Sequence, residues 1–358
     1  MTQNLFFHPE KPCLNPQEHV GRESLLQHAY GKLGTDDVQS FAIYGFSKEG
    51  KTSFINYLQQ PSVVERYLGD KASEYIFLYF DVAEHQLNDE AAFFKVLYSK
   101  IEEVLTIPNL KDFSDNDKIL DWLEKNNRRL ILILDNFNLI VVNPKYDVAF
   151  FESFRSWLYM HSPVGCIVTS PMPLLDLAMT VELAGSPFFN IFDYYALFSL
   201  SLMDATRLIS ERLPETLQDH EKDIFELIGQ FGYSPYPLQQ AGKMWVSHFE
   251  KTGDSSFEQV IDEAYQACLP YYEEIYASLT QPQLKSIERI LSSGYKKKLV
   301  VDNNLIDRGW VTKDKRRISA GQMERFLRYR MDIPARRNIF SVITEFFSDV
   351  FKRNYYRD

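Results

Sequence analysis

The segment Gly45-Phe46-Ser47-Lys48-Glu49-Gly50-Lys51-Thr52 constrains this chain more than any other stretch. It fits G-x-x-x-x-G-K-[ST], a loop built to wrap phosphates. Gly45 and Gly50 let backbone N–H groups curl around a β-phosphate with no Cβ in the way. Lys51 reaches the β- and γ-phosphates, and the Thr52 hydroxyl suits Mg²⁺. Residues 41–44 read as a short buried strand. Residues 52–58, with Ser53 in the first turn, read as a helix whose positive N-terminal end faces the phosphates. Residues 45–53 are therefore the expected nucleotide-binding loop, with Lys51 acting in catalysis and Thr52 on the metal.

A loop of this kind needs a carboxylate at the end of a neighbouring strand to organise Mg²⁺ and its waters. The run Leu130-Ile131-Leu132-Ile133-Leu134-Asp135 supplies one, as an apolar strand closed by an acid. Asp135 is expected to be a metal ligand and a catalytic residue. The next residue is Asn136, where many hydrolysing P-loop proteins carry a Glu as general base. An amide takes no proton near neutral pH, although Asn136 can orient a water. Nucleotide binding with slow hydrolysis is the expectation. Thr169 and Ser170 end the following strand, where a hydroxyl either senses the γ-phosphate or caps the segment before Pro171. Arg155 and Arg207 are available as arginine fingers and are not ranked.

With 358 residues the chain is long enough for two or three domains. Its 27 Phe and 21 Tyr argue against disorder. The first residues lack the basic and apolar regions of a signal peptide, and the run 130–142 is interrupted by Asp135, Asn136 and Asn138. Cys13, Cys166 and Cys268 have neither metal spacing nor a disulfide framework, so a cytoplasmic location is expected. The net charge of −10 conceals an asymmetry. Residues 296–358 hold 16 Lys and Arg against 8 Asp and Glu, and the remainder holds 23 against 41. The basic end is either a solvated face or a nucleic-acid contact.

Residues 1–200 alternate strand-like and helix-like segments, which predicts an α/β domain with a mostly parallel sheet. The strands are expected at 40–44, 75–82, 130–135, 165–170 and 189–198, and helices at 53–60, 89–105, 117–126 and 147–160. Residues 201–268 read as helical, opened by a near capping box of Ser201 and Asp204. The chain changes character near Pro270. Residues 269–332 hold helix candidates at 282–292 and 299–308, then a hairpin over 310–319, an order that suggests a winged helix. In the tail, 333–358, apolar residues from Ile339 to Phe351 recur at helical spacing.

Together these segments resemble the STAND branch of P-loop ATPases and the related Orc/Cdc6-like AAA+ proteins. Residues 15–26, including Val20, Gly21 and Arg22, resemble the F-x-G-R-E-x-x-L segment that lies beside adenine in those families, with His19 in place of the Phe. Residues 231–239 resemble the lid motif G-G-x-P-x-x-L-Q, with Tyr233 in place of the second Gly and Pro235 as the nucleotide-contacting proline. Residues 75–81 are similar to the second strand, and 310–326 to the wing and last helix of a C-terminal winged-helix domain. The resemblance implies ATP and Mg²⁺ as cofactors, a lid over 201–268, a winged helix over 269–332, and oligomerisation through the ATP site. It also implies a switch: ATP holds lid and winged helix against the core, and a partner protein or separate effector chain reads the change.

Three readings follow. One is a slowly hydrolysing switch that regulates a partner protein, the apolar tail either docking in a groove or closing the winged-helix core. Another is ATP-dependent binding of double-stranded DNA, with Lys296, Lys297, Lys298, Lys313, Lys315, Arg316 and Arg317 as phosphate contacts. The last is a nucleotide-binding scaffold without turnover.

Overall fold

The computed structural model describes residues 7–160, 163–181, 183, 185–293, 299–312 and 317–334. The amphipathic tail and six of the seven basic residues, all but Arg317, lie outside the described residues. Two compact units form, one from Cys13 to Leu197 and the other from Phe198 onward together with residues 7–12.

The first unit is a five-stranded parallel sheet clad by helices. In chain order it runs α1 (Glu23–Leu33), β1 (Phe41–Tyr44), α2 (Lys51–Leu58), α3 (Pro61–Leu68), β2 (Tyr75–Asp81), α4 (Glu90–Leu105) and α5 (Asn116–Lys125). It continues with β3 (Arg129–Asp135), α6 (Asn138–Val141), α7 (Val148–Met160), β4 (Val164–Ser170), α8 (Leu174–Thr180) and β5 (Asp193–Ala196). The strand order is β2-β3-β4-β1-β5. Both sheet faces are covered, so the strands are apolar throughout rather than alternating. Pleating sends Ile131 and Ile133 of β3 to one face, where Phe41, Ile43 and helices α1 to α3 pack. Leu130, Leu132 and Leu134 face the other side, against α4, α5, α7 and α8. Much of the aromatic content gathers there. Phe154 stacks on Trp157 at 6.1 Å, and Phe93 meets Phe150 edge-on at 5.3 Å.

The second unit is helical: α9 (Leu202–Ser210), α10 (Glu215–Gln218), α11 (Glu221–Phe231), α12 (Pro235–Thr252), α13 (Ile261–Ser278), α14 (Gln281–Ser293), α15 (Asn303–Asp307) and α16 (Gly321–Arg330). Ser201 caps α9 by accepting from Asp204 N at 3.0 Å. Buried Arg328 of α16 donates to Glu324 at 2.7 Å and to the Leu291 carbonyl of α14 at 3.3 Å. Val311 and Ile318 pair antiparallel, with Thr312 N donating to Arg317 O at 3.0 Å.

Several expectations shift. Pro270 lies inside α13, so the expected boundary between 268 and 269 falls within a continuous helix. Proline there forgoes one backbone hydrogen bond, and burial of Cys268, Tyr271, Tyr272 and Ile275 around it holds the helix together. The helix expected over 299–308 shortens to α15, because the Asp302 side chain accepts from Asn304 N and starts the helix there. Within the strand and exit expected over 189–198, residues 189–191 belong to a 3-10 turn that begins at Pro187, and the strand is Asp193–Ala196. No described helix is long and apolar enough to cross a membrane.

Gly165 in β4 packs beneath the loop before β1. A Cβ there would overlap the Val38 Cγ1 methyl. Valine is stiff at χ1 and cannot swing aside. Gly165→Ala is expected to lower stability by about 1–3 kcal/mol. Val38→Ala in the same chain should recover part of that loss in urea unfolding. An unchanged midpoint for the single variant would show that the loop yields freely.

Candidate functional site

All five strands run the same way, so their carboxyl ends share one edge. β1 lies between β4 and β5, while the chain leaving it crosses to β2 at the far side of the sheet. Ligands of open α/β sheets bind where the strand order reverses in this way. The loop 45–50 emerges there.

Two glycines shape the loop. Gly50 has φ +97° and precedes α2 directly, a conformation that a Cβ makes costly. At Gly45 a Cβ would lie 2.9 Å from Glu49 Oε2 and 3.1 Å from the Leu197 carbonyl. Glu49 is fully buried, and its Oε2 accepts from Phe46 N at 3.1 Å, which braces the loop from inside. Lys48 is exposed at φ +60°, and Ser47 is half-buried. Lys51 donates to the Gly45 and Phe46 carbonyls at 2.7 and 2.8 Å. Its ammonium thus lies along the loop, where phosphate oxygens of a ligand would meet it.

Asp135 ends β3 with no exposed surface and gathers four donors. Its Oδ2 accepts from Thr52 Oγ1 at 2.7 Å and from Tyr79 OH at 3.1 Å. Its Oδ1 accepts from Thr169 Oγ1 and from Asn136 N at 3.2 Å. Burial raises the Tyr79 phenol well above its ordinary value, and the nearby charges of Asp135 and Asp81 add to this. Tyr79 therefore stays a donor at any ordinary pH.

Asn136 has φ +57°, a left-handed conformation that asparagine tolerates better than most residues. Its backbone N donates to Thr169 Oγ1 at 2.9 Å, and its side-chain Nδ2 donates to Asp81 Oδ1 at 2.8 Å. Asp81 ends β2 directly beside Asp135 in register. Buried Ser170 turns its hydroxyl to the Met172 carbonyl within its own loop. Of the two strand-end hydroxyls, Thr169 is the one tied to Asp135.

The segment 13–22 runs along the start of α2. Cys13 N donates to Ser53 Oγ at 3.0 Å. Val20 is buried, Gly21 has φ +77°, and Arg22 Nη2 donates to the Glu49 carbonyl at 3.3 Å. His19 stacks on Tyr57 of α2, with ring centroids 4.1 Å apart and 2° between planes. Pro235 belongs to the second unit, at the first turn of α12 behind Ser234. Arg317, also there, lies within electrostatic reach of Tyr233. Arg207 pairs with Glu211 at 3.0 Å along α9.

Sequence reasoning missed Tyr79 and Asp81. Strand ends pointing at one edge are the signal that was available for Asp81, since residue 81 closes the run 75–81 as Asp135 closes 130–135.

The donor set fits the group that the motif implies. One hydroxyl and one carboxylate oxygen, 2.7 Å apart, are hard ligands beside a phosphate loop. Magnesium commonly uses only one or two protein oxygens and fills its shell with waters and phosphate. Among the described residues no group of three His, Cys, Asp or Glu could hold a metal ion.

Comparison with solved structures finds the same fold. A Walker-type ATPase of Pyrococcus abyssi superposes with a TM-score of 0.58 at 14% identity, over 89% of this chain and 99% of its own. The Aeropyrum pernix ORC2 protein in its ADPNP–ADP complexes gives 0.54 at 14% identity, over 91% and 84%. Its ADP form gives 0.52 at 13% identity, over 92% and 87%. Comparison with curated proteins by sequence gives no match. The family profile described as Novel STAND NTPase 2 matches residues 32–288, which span both the phosphate loop and Asp135. The chain belongs to that family of STAND-type P-loop NTPases.

Proposed function

We propose that this chain is an ATP-binding, slowly hydrolysing molecular switch that regulates a partner protein. The observation that carries the reading is the 2.7 Å contact between Thr52 and Asp135, which joins two motifs 83 residues apart. The loop N–H groups and Lys51 bind and neutralise the phosphates. Thr52 and Asp135 hold Mg²⁺, which when bound offsets charge on the β- and γ-phosphates. Val20, Gly21 and Arg22 line the base side. That the ligand of this chain is ATP is supported by family membership and by similarity in fold to a protein solved with ADPNP and ADP.

Slow turnover follows from Asn136. Its amide can hold the attacking water but cannot take its proton, and losing a general base typically costs about 10²–10⁴ in rate. A long-lived ATP state suits a switch better than a high-turnover catalyst. In this reading Pro235 belongs to a lid, and α14 to α16 with the Val311–Ile318 pair form a winged helix. These parts pass the nucleotide state to a protein partner.

Lys51→Ala is expected to weaken ATP binding by about 10- to 100-fold, the worth of a charged hydrogen bond, with an unchanged melting temperature. Binding of a fluorescent ATP analogue checks this, and unaltered affinity would sink the assignment of the site. Asn136→Glu should raise the single-turnover rate by up to about 10²-fold. The same variant should cost roughly 1 kcal/mol of stability, because Glu lacks the tolerance of Asn for φ near +57°. A flat rate would mean that position 136 is not where a base acts.

A further inference from the structure

Asp81 takes no part in the motifs that define the site, yet the fold brings its carboxylate to Asn136. Both hydrogen bonds that Asp81 accepts, from Ala83 N at 2.9 Å and from Asn136 Nδ2 at 2.8 Å, end on Oδ1. The backbone bond caps the turn that follows β2 and so holds the Asp81 side chain in place. The register of β2 and β3 sets residues 81 and 135 side by side. The positive φ of Asn136 and its backbone bond to Thr169 fix where its side chain begins.

A carboxylate only accepts hydrogen bonds, whereas an amide has one donor end and one acceptor end. Facing Asp81, the amide of Asn136 can settle in only one orientation, with Nδ2 toward Asp81 and Oδ1 left to accept. We propose that Asp81 is a positioning residue for ATP hydrolysis: it locks the Asn136 amide so that Oδ1 accepts a hydrogen bond from the attacking water. The inference rests on the nucleotide-site reading above. It assigns Asp81 no contact with substrate and no proton transfer. Without Asp81 the amide turns freely, and half of its orientations present a donor to a water that must keep its lone pair for phosphorus. Misplacing a water-holding group in this way costs rate while leaving the binding of ATP, which uses the loop, untouched.

The test is a double-mutant cycle in single-turnover hydrolysis, with the affinity for a fluorescent ATP analogue measured on every variant. Asp81→Ala should lower the rate about 10- to 100-fold, the usual effect of removing an orienting partner. Its analogue affinity should stay within about twofold of wild type, well under one charged hydrogen bond. Asp81→Asn keeps an acceptor for both Ala83 and Asn136 and should recover most of the rate. In the Asn136→Ala background, Asp81→Ala should have no further effect. Equal losses in both backgrounds, or a rate that ignores Asp81, would overturn the proposal. Analogue binding by wild type without measurable hydrolysis would overturn it while leaving the nucleotide site standing. Wild type that binds no better than Lys51→Ala would remove the site reading and this inference together.

Discussion

The buried carboxylate of Asp135 is the point on which the site depends. A charge without solvent is costly unless donors surround it. Here four donors do so: Tyr79 of β2, the backbone of Asn136 just after β3, Thr169 of β4 and Thr52 of α2. Each bond also fixes the element that supplies it. The carboxylate thus ties the phosphate loop's helix to the far side of the sheet, and the loop sits where it does because Asp135 is satisfied there. Removing the carboxylate would leave four buried or half-buried donors facing one another across the sheet edge.

The loop itself is held by geometry rather than by packing alone. Gly50 supplies a backbone angle that L side chains avoid, and Gly45 yields space to the Glu49 carboxylate and the Leu197 carbonyl. Glu49 braces the loop from within by accepting from Phe46. Lys51, at the N-terminus of α2, donates to the Gly45 and Phe46 carbonyls along the loop. On the other flank, Asn136 reconciles two demands at once. It adopts the left-handed turn after β3, and its side-chain amide donates to Asp81.

Much of this was legible in the sequence because it is local. The glycine spacing, the apolar run closed by Asp135, and the five strands each announce themselves within ten residues. Helix α3 has no counterpart among the expected helices; its Pro61 sits in the first turn, where proline forgoes no intrahelical N–H bond. The change of character near Pro270 is not an element boundary, because Pro270 lies inside α13. What no local pattern reveals is which strands become neighbours. The contacts of Tyr79, Thr169 and Asp81 with residues 135 and 136 depend on the order β2-β3-β4 and on its register. The register that sets Asp81 beside Asp135 is a property of the sheet, not of either segment alone.

The most direct test of the account is a calorimetric titration of the purified chain with ATP, run once with Mg²⁺ and once with EDTA. The account predicts a single site per chain whose affinity rises with Mg²⁺, because Thr52 and Asp135 supply the oxygens that a bound cation would share with the phosphates. A titration without heat, or affinity that ignores Mg²⁺, would contradict the claim that these two residues meet in order to hold a nucleotide's metal.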